Sequence, residues 1–424
     1  MIKFLIKGVI RDRSRSVFPL LTVTIGVILT VFAYAWIQGV QSSFLESTAK
    51  FGTGHVKIMS RAYAEEADQI PNDLSYIGVE ALLEEMRREY PDMIWTPRIK
   101  FGGLLDIPDE QGETRSQGPV AGLAVNILSE DTPEKNILNM EGSVVRGRLP
   151  SEPGEILISE ELAGQLDVGV GETATLISVT MNGSMAMANF TIAGTIRFGM
   201  TAMDRGAVVA DLRDIQTALN MEDAAGEILG FFQDFIYVDE RAEELKADFN
   251  ARFSDEKDEF SPVMSTLFEE SELGDLMGMI DLFAQVILLI FVVPMSIVLW
   301  NAGLMGSLRR YGEIGVRLAM GESKGHLYRS MLTESMVIGF VGSILGTIIG
   351  LALAYYLQNH GFDIGALMKN STLLISDVMR AKVTPAGHVV GFVPGLAATL
   401  LGTSIAGIGI YRRQTSRLMK ELEV

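Results

Sequence analysis

Apolar residues are concentrated in four long segments of the chain, and the distances between these segments are very uneven. The segments cover residues 17–37, 279–301, 334–357 and 389–411. Each is long enough for a helix that crosses the hydrocarbon of a bilayer, which takes about 20 residues. None of them alternates apolar and polar residues along its whole length, so helices are predicted rather than barrel strands. The expected fold class is therefore an α-helical membrane protein with four transmembrane helices.

The longest interval, residues 38–278, is mostly polar and predicts a large extracytoplasmic domain inserted between helices 1 and 2. Short apolar strands such as 155–158 alternate with amphipathic helices such as 79–90, which favours a mixed α/β domain. Its size is sufficient for a core of its own and for two lobes. We expect a flexible loop at 108–118, the start of the second lobe at 146–153, and stalks at both ends that continue the membrane helices.

Two local signals inside this interval predict a hairpin turn and a helix cap. Asn182-Gly183 between apolar runs is typical of a hairpin, here between the strand 173–179 and a return strand at 190–196. Asp211 follows a short strand and is expected to cap the next helix.

The distribution of basic residues indicates on which side of the membrane each polar segment lies. Residues 1–16, 302–333 and 412–424 contain 14 Lys and Arg, whereas 38–278 contains 18 basic and 44 acidic residues. Segments rich in Lys and Arg face the cytoplasm. We expect both termini and the 302–333 loop inside, and the large domain with the 358–388 loop outside. The net charge of −18 comes from the large domain, so nucleic-acid binding is not expected.

A cleavable signal peptide is the alternative interpretation of the first apolar segment. A basic start and the small-residue pattern Ala33-Tyr34-Ala35 support that alternative. The apolar core of a signal peptide usually has about 7–15 residues, and this segment is longer. Tyr34 and Trp36 also stand at its outer end, where aromatic residues anchor a transmembrane helix. These features favour a retained helix.

The residues required for several kinds of catalysis are missing from the chain. There is no cysteine, which excludes disulfides, thiolate zinc sites and cysteine nucleophiles. The four histidines lie on different segments and form no metal-binding pair. No Gly-x-x-x-x-Gly-Lys-Ser/Thr loop for phosphate is present, and no Gly-x-Ser-x-Gly elbow. We expect no enzymatic activity, no metal and no cofactor in this chain.

The loop between the second and third apolar segments contains the most specific motif. It reads Arg-Arg-Tyr-Gly-Glu-Ile-Gly-Val-Arg-Leu-Ala-Met-Gly-Glu-Ser over residues 309–323. This order resembles the Arg-Glu-Ile-Gly-x-Arg-x-Ala-x-Gly-Ala stretch of the FtsX/MacB-type permease family of ABC transporters. The third segment continues the resemblance with glycines at helical spacing, which allow close helix packing: Gly339, Gly342, Gly346 and Gly350.

The resemblance implies a permease that forms a dimer with itself or with a sister chain, and that binds a separate ATPase subunit. ATP and Mg²⁺ would be bound by that ATPase. A fused N-terminal ATPase, as in MacB, is not expected because only 16 residues precede the first segment. The loop would form a coupling helix in a groove of the ATPase. Carried over position by position, the contact residues are Glu313, Ile314, Gly315, Arg317, Leu318, Ala319, Met320 and Gly321.

Within the family, residues 53–56 and 199–204 look most like lipoprotein-releasing permeases of the Lol type. This resemblance implies the bacterial inner membrane, a lipoprotein or other lipid-bearing substrate, and a periplasmic carrier. In the place of the family's carrier-binding hook this chain has only the short hairpin 181–189. The sequence therefore leaves open whether a carrier binds here. Substrate contact is expected where the first two helices leave the bilayer, at Trp36, Gln38, Phe44, Met279 and Phe283. Alternatives within the family are an FtsX-like regulator of a cell-wall hydrolase and export of a drug or peptide with a periplasmic adaptor.

Overall fold

The computed structural model describes residues 13–129, 132–199, 201–270, 273–309, 316–318, 320–363 and 378–412. These residues fall into two compact units. The helical unit contains the described residues of 1–42, 277–362 and 379–424. The α/β unit contains those of 43–276, together with Asp363 and Val378.

The described helices include four that are more than 20 residues long. In chain order the helices are α1 (Arg13–Thr48), α2 (Arg61–Glu65), α3 (Val79–Glu89), α4 (Glu134–Ile137), α5 (Met140–Ser143), α6 (Glu160–Leu166), α7 (Thr201–Asp204), α8 (Leu212–Ala218), α9 (Asp239–Phe253), α10 (Leu267–Glu270), α11 (Leu273–Arg309), α12 (Lys324–His360), α13 (Gly387–Val390) and α14 (Phe392–Arg412). A π-helical turn, Ala49–Thr53, follows α1 directly. Single 3₁₀ turns cover Ala67–Gln69 and Asn72–Leu74.

The strands lie almost entirely in the α/β unit. They are β1 (Val56–Ser60), β2 (Tyr76–Ile77), β3 (Met93–Pro108), β4 (Thr114–Val125), β5 (Val144–Gly147), β6 (Glu155–Ser159), β7 (Thr173–Val179), β8 (Met185–Ile196), β9 (Ala207–Asp211), β10 (Ala224–Ala225), β11 (Glu227–Phe232), β12 (Pro262–Thr266), β13 (Phe362–Asp363) and β14 (Val378–Met379). The main sheet has the order β12-β1-β11-β3-β4-β9-β6-β8-β5, and β7 pairs with β3 and β8. The β4–β9 and β6–β8 pairs are parallel.

Strand β3 joins the two halves of this sheet. Its first part, Met93–Arg98, pairs with β11, and its remainder pairs with β4. The prediction of a flexible loop at 108–118 is wrong, because β4 begins at Thr114 and only residues 109–113 form the hairpin turn. The first residues of β4 are polar and mostly exposed although their backbone is paired, so their composition resembles that of a loop.

Several predicted elements of the α/β unit are confirmed. The strand at 155–158 is β6, and the amphipathic helix at 79–90 is α3. The side chain of Asp211 accepts a hydrogen bond from the amide of Arg213 at 3.0 Å and caps α8 as expected. The hairpin at Asn182-Gly183 is present between β7 and β8, although β8 begins at Met185, earlier than expected.

Among the described residues, three helices are long and apolar enough to cross a membrane. They lie within Val17–Thr53, Lys324–His360 and Gly387–Ala406. The predicted second crossing falls in α11, whose apolar stretch among the described side chains is the shorter Gln285–Val298. Three spans agree with the expected class of membrane protein, and the number of four stays a prediction.

Glycines of α12 let its backbone approach α1 closely. A methyl group added at Gly346 would lie 2.6 Å from the Cβ atom of Val27, and one added at Gly342 would lie 2.8 Å from a methyl of Val23. Gly350 faces Val31 in the same way, at 3.0 Å. These three valines are fully buried. The fourth predicted packing residue, Gly339, instead lies against α14, since a methyl group there would be 2.5 Å from Thr399 Oγ1.

The α1–α12 contact predicts a strong dependence on side-chain size at Gly346. We expect Gly346→Leu to destabilise the helical unit by about 1–3 kcal/mol, because the added side chain must push α1 away. Ala352→Leu is the matched control, since Ala352 is on the exposed side of the same helix. Thermal unfolding of the detergent-purified chain measures both. Equal melting temperatures for the two variants would contradict this account of the packing.

Candidate functional site

The first long helix ends in a π-turn immediately before the chain enters the sheet. The amide of Gly54 donates to the carbonyl oxygen of Ala49 at 2.8 Å. This bond reaches five residues back, whereas an α-helix bonds four residues back. The carbonyl oxygen of Lys50, which would accept that amide in an α-helix, is therefore free to accept from a side chain.

Glycine is required where the π-turn meets strand β1. Gly54 has a φ of +67°, and a Cβ atom there would lie 2.8 Å from the carbonyl oxygen of Val56. The next amide, that of His55, donates to the carbonyl oxygen of Gly230 in β11 at 2.8 Å. The helix therefore ends and the sheet begins within two residues.

The strands that connect the α/β unit to the long helices are neighbours. Strand β1, which follows α1, pairs antiparallel with β12, which precedes α10 and α11. Val56 is opposite Thr266, and the amide of Leu267 donates to the carbonyl oxygen of His55 at 3.2 Å. Both connections thus reach the sheet at the same pair of strands.

The buried side chain of Arg98 binds the π-turn that follows α1. Its Nη1 atom donates to the carbonyl oxygen of Lys50 at 2.6 Å. Its Nε and Nη2 atoms donate to the two carboxylate oxygens of Glu134, each at 2.8 Å. Thr96 Oγ1 donates to the same carboxylate at 2.7 Å. Arg98 and Glu134 are both fully buried, so the guanidinium is neutralised on one side and binds the helix carbonyl on the other.

A second cation of strand β3 binds the same π-turn. Lys100 Nζ donates to the carbonyl oxygen of Gly52 at 3.1 Å and to Glu227 Oε1 at 2.9 Å. Lys57 Nζ donates to the same oxygen of Glu227 at 3.3 Å. Burial alone would raise the pKa of Glu227, but the two ammonium groups outweigh it and lower the pKa. Glu227 is therefore held as a carboxylate.

We call these five residues the helix-end cluster: Lys57, Arg98, Lys100, Glu134 and Glu227. We predicted no role for them from the sequence. One local pattern points to the three residues on β3. Thr96, Arg98 and Lys100 alternate along the strand, so their side chains share one face of it. The carboxylates that pair with them are 36 and 127 residues away in sequence, which no local pattern reveals.

The neighbouring His55 is buried among aromatic side chains. Its Nδ1 atom accepts the amide of Phe232 at 3.1 Å, and its ring contacts those of Phe231, Phe232 and Tyr237. Burial lowers the pKa of His55 to about 4; Asp234 opposes this shift and Arg241 adds to it. His55 is therefore neutral at physiological pH and serves as a hydrogen-bond acceptor.

The predicted coupling segment is described only in part. Glu313, Ile314, Gly315 and Ala319 lie outside the described residues. The described part ends in a Schellman motif, since Gly321 has a φ of +91°, its amide donates to the carbonyl of Leu318, and the amide of Glu322 donates to that of Arg317. Just before this turn, Val316 is 53% and Met320 is 75% exposed. The segment thus presents apolar side chains at its surface.

Helix α12 starts directly after that turn. Ser323 caps it, because its side chain accepts the amide of His326 at 3.2 Å. The spacing of Gly321 and Ser323 therefore ends one helix and starts the next within two residues.

The residues expected to contact substrate are on separate elements. Trp36 makes an edge contact with Phe362, with ring centroids 6.3 Å apart. Gln38 lies nearby on α1, while Met279 and Phe283 lie one turn apart on α11 and are both exposed. Phe44 belongs to the α/β unit, so the five residues do not form a site within either unit.

Two family models together match most of the chain. A model described as "MacB-like periplasmic core domain" matches residues 16–253, and one described as "FtsX-like permease C-terminal" matches residues 285–415. The chain belongs to the FtsX/MacB-type permease family. The second match includes the 309–323 segment and helices α12 and α14, whereas the first includes the helix-end cluster.

Curated relatives of this permease carry two different names. The lipoprotein-releasing system transmembrane protein LolC of Xylella fastidiosa is 27% identical over 273 residues, which is 62% of this chain and 60% of LolC. The macrolide export ATP-binding/permease protein MacB of Nitrobacter winogradskyi is 24% identical over 401 residues, which is 91% of this chain and 57% of MacB. The permease therefore spans about 60% of the length of the curated relatives that it matches.

A solved structure of the periplasmic region of MacB from Actinobacillus actinomycetemcomitans is also similar. It is 10% identical and matches 54% of this permease and 95% of that chain, with a TM-score of 0.37. The TM-score is too low for this structure to support the family assignment.

The environment of His55 predicts that acid destabilises the α/β unit. The unfolded chain protonates His55 near pH 6.5, whereas the folded chain does so near pH 4. Protons therefore favour the unfolded state, and stability falls on the order of 2–3 kcal/mol as the pH drops from about 6.5 to about 4. The His55→Gln variant keeps an acceptor for Phe232 but does not titrate. Denaturant unfolding, followed by the tryptophan fluorescence to which the buried Trp95 contributes, should show a smaller loss of stability between pH 7 and pH 4.5 in the variant. The same loss in both proteins would contradict the assignment.

Proposed function

We propose that the chain is the permease subunit of an ABC transporter complex. A separate ATPase subunit binds and hydrolyses ATP with Mg²⁺, and its movement is passed to the α/β unit on the opposite side of the membrane. The observation that carries this proposal is the coupling segment. It belongs to the matched FtsX-like region, and it ends at Gly321 with exposed Val316 and Met320, as a docking surface for a second protein requires.

The distribution of charge supports an orientation for this complex. The 302–333 loop and both termini are rich in Lys and Arg, so they face the cytoplasm and the ATPase. The acidic α/β unit is then periplasmic, in the inner membrane of a bacterium. The permease works as a dimer, with a second copy or a paralogue.

The substrate is proposed to be a lipoprotein or another lipid-bearing molecule of the inner membrane. Support comes from the similarity to LolC, whose name identifies a lipoprotein-releasing system. Exposed Met279 and Phe283 on α11, together with Trp36, Gln38 and Phe44, are proposed as the contact region. A periplasmic carrier would receive the released molecule.

Export is the second candidate function. The MacB protein named for macrolide export aligns with 91% of this chain, a longer stretch than LolC does. An exporter would use the same ATPase contact and the same mechanical movement, with a different substrate.

The ATPase contact can be tested by charge reversal. We expect Glu313→Lys to abolish copurification of the ATPase with the affinity-tagged permease, because it places a cation in the centre of the docking segment. Glu110→Lys is the matched control, since Glu110 is exposed in the β3–β4 turn and is not part of the docking segment. Mass spectrometry of the purified complexes identifies and quantifies the ATPase. An intact complex with Glu313→Lys would refute the proposed contact.

The substrate region can be tested by removing its aromatic side chains. We expect the double variant Trp36→Ala and Phe283→Ala to lower lipoprotein release from proteoliposomes, because it removes apolar contacts with the acyl chains. Leu289→Ala is the control, since Leu289 is equally exposed on α11 and is outside the proposed region. Lipoprotein release at the wild-type rate by the double variant would refute the proposed substrate region. ATP-driven export of a soluble drug without lipoprotein release would favour export as the function.

A further inference from the structure

The helix-end cluster contains a fully buried ion pair, which stability alone seldom requires. Burying an ion pair costs desolvation energy that the attraction between the charges only partly offsets, and apolar side chains of similar size often replace such pairs without loss of stability. Arg98 in β3 and Glu134 in α4 are nevertheless both fully buried. An apolar pair would fill the same space but could not donate a hydrogen bond to the carbonyl of Lys50.

The carbonyl groups at a helix end carry partial negative charge and need donors. The last four carbonyls of a helix have no amide partner within it, and the helix dipole makes this end attractive to cations. Here the π-turn directs the carbonyls of Lys50 and Gly52 toward the sheet, and Arg98 and Lys100 donate to them. The two cations lie two residues apart on one strand, as do the two carbonyls on the turn.

We propose that the helix-end cluster is the anchor that makes the end of α1 and the sheet of the α/β unit move as one body, with Arg98 and Lys100 as its positioning residues. This inference rests on the proposed function, in which movement travels along α1. A helix end bound only by water would unwind under load and absorb the displacement. With the anchor in place, a displacement of α1 is transmitted to β3 and, through β1, to β12.

Two kinds of variant each remove one donor of the anchor without leaving an unpaired charge buried. Arg98→Met combined with Glu134→Met removes the donor to Lys50 together with its counter-charge, so no unpaired charge is buried. Lys100→Met removes the donor to Gly52 and leaves Glu227 paired with Lys57. The matched control is Arg115→Met combined with Glu172→Met, an exposed ion pair of 2.7 Å elsewhere in the same unit.

Hydrogen exchange and spin labels report the state of the helix end directly. The chain has no cysteine, so Glu46→Cys on α1 and Glu161→Cys on α6, both exposed, provide a unique label pair within the α/β unit. We expect the amide of Gly54 to exchange about tenfold faster in the anchor variants, because the π-turn loses hydrogen bonds from charged donors. The distribution of distances between the labels should broaden. The control variant should match the wild type in both measurements.

The full complex with its ATPase then tests the consequence. The anchor variants should hydrolyse ATP at the wild-type rate and lose substrate release, whereas a misfolded unit would also lose its cooperative thermal transition. Unchanged Gly54 protection and an unchanged distance distribution in both anchor variants would overturn the proposal. A wild-type complex that shows no ATP-dependent release would count against the proposed function. The exchange and distance measurements are made without nucleotide, so they test the anchor independently of that function.

Discussion

The hydrogen bonds from Arg98 and Lys100 to the carbonyls at the end of α1 are the contact on which the connection between helix and sheet depends. A helix end must find donors for its last carbonyls. In this permease the donors are side chains of the central strand β3, and they are neutralised by Glu134 and Glu227. The π-turn is the backbone conformation that presents the carbonyls to them, and Gly54 allows the chain to enter β1 at once.

Helix α1 is held by a different kind of contact within the helical unit. There its fully buried valines lie against the glycines of α12, where the backbones approach closely and no hydrogen-bonding side chain is needed. Close apolar packing suits a segment that lies in lipid, since lipid offers no hydrophobic driving force for helix association. The charged contact occurs only where α1 has reached the α/β unit. One helix thus uses glycine packing in one unit and the cations of β3 in the other.

Much of this architecture could be predicted from the sequence, and the exceptions have physical causes. Segment length and the glycine spacing indicated the long helices and the residues of α12 that pack. The long hairpin of β3 and β4 was missed because Pro97, Pro108 and Pro119 lie within strands that proline usually avoids, and because the exposed face of β4 is polar. The π-turn was missed because a single glycine after a helix predicts only its end. The segment 309–323 was predicted to be a coupling segment from its resemblance to a family, which periodicity alone could not have provided.

The central claim is that ATP hydrolysis in a partner subunit moves the α/β unit. The most direct measurement places one spin label on each permease of the reconstituted complex, at Glu161→Cys in the otherwise cysteine-free chain, and records the distance between the two α/β units. We expect the distance distribution to shift when ATP is trapped in the ATPase and to return after hydrolysis. An identical distribution in the nucleotide-free and ATP-trapped complexes, while the ATPase remains bound and active, would contradict the account.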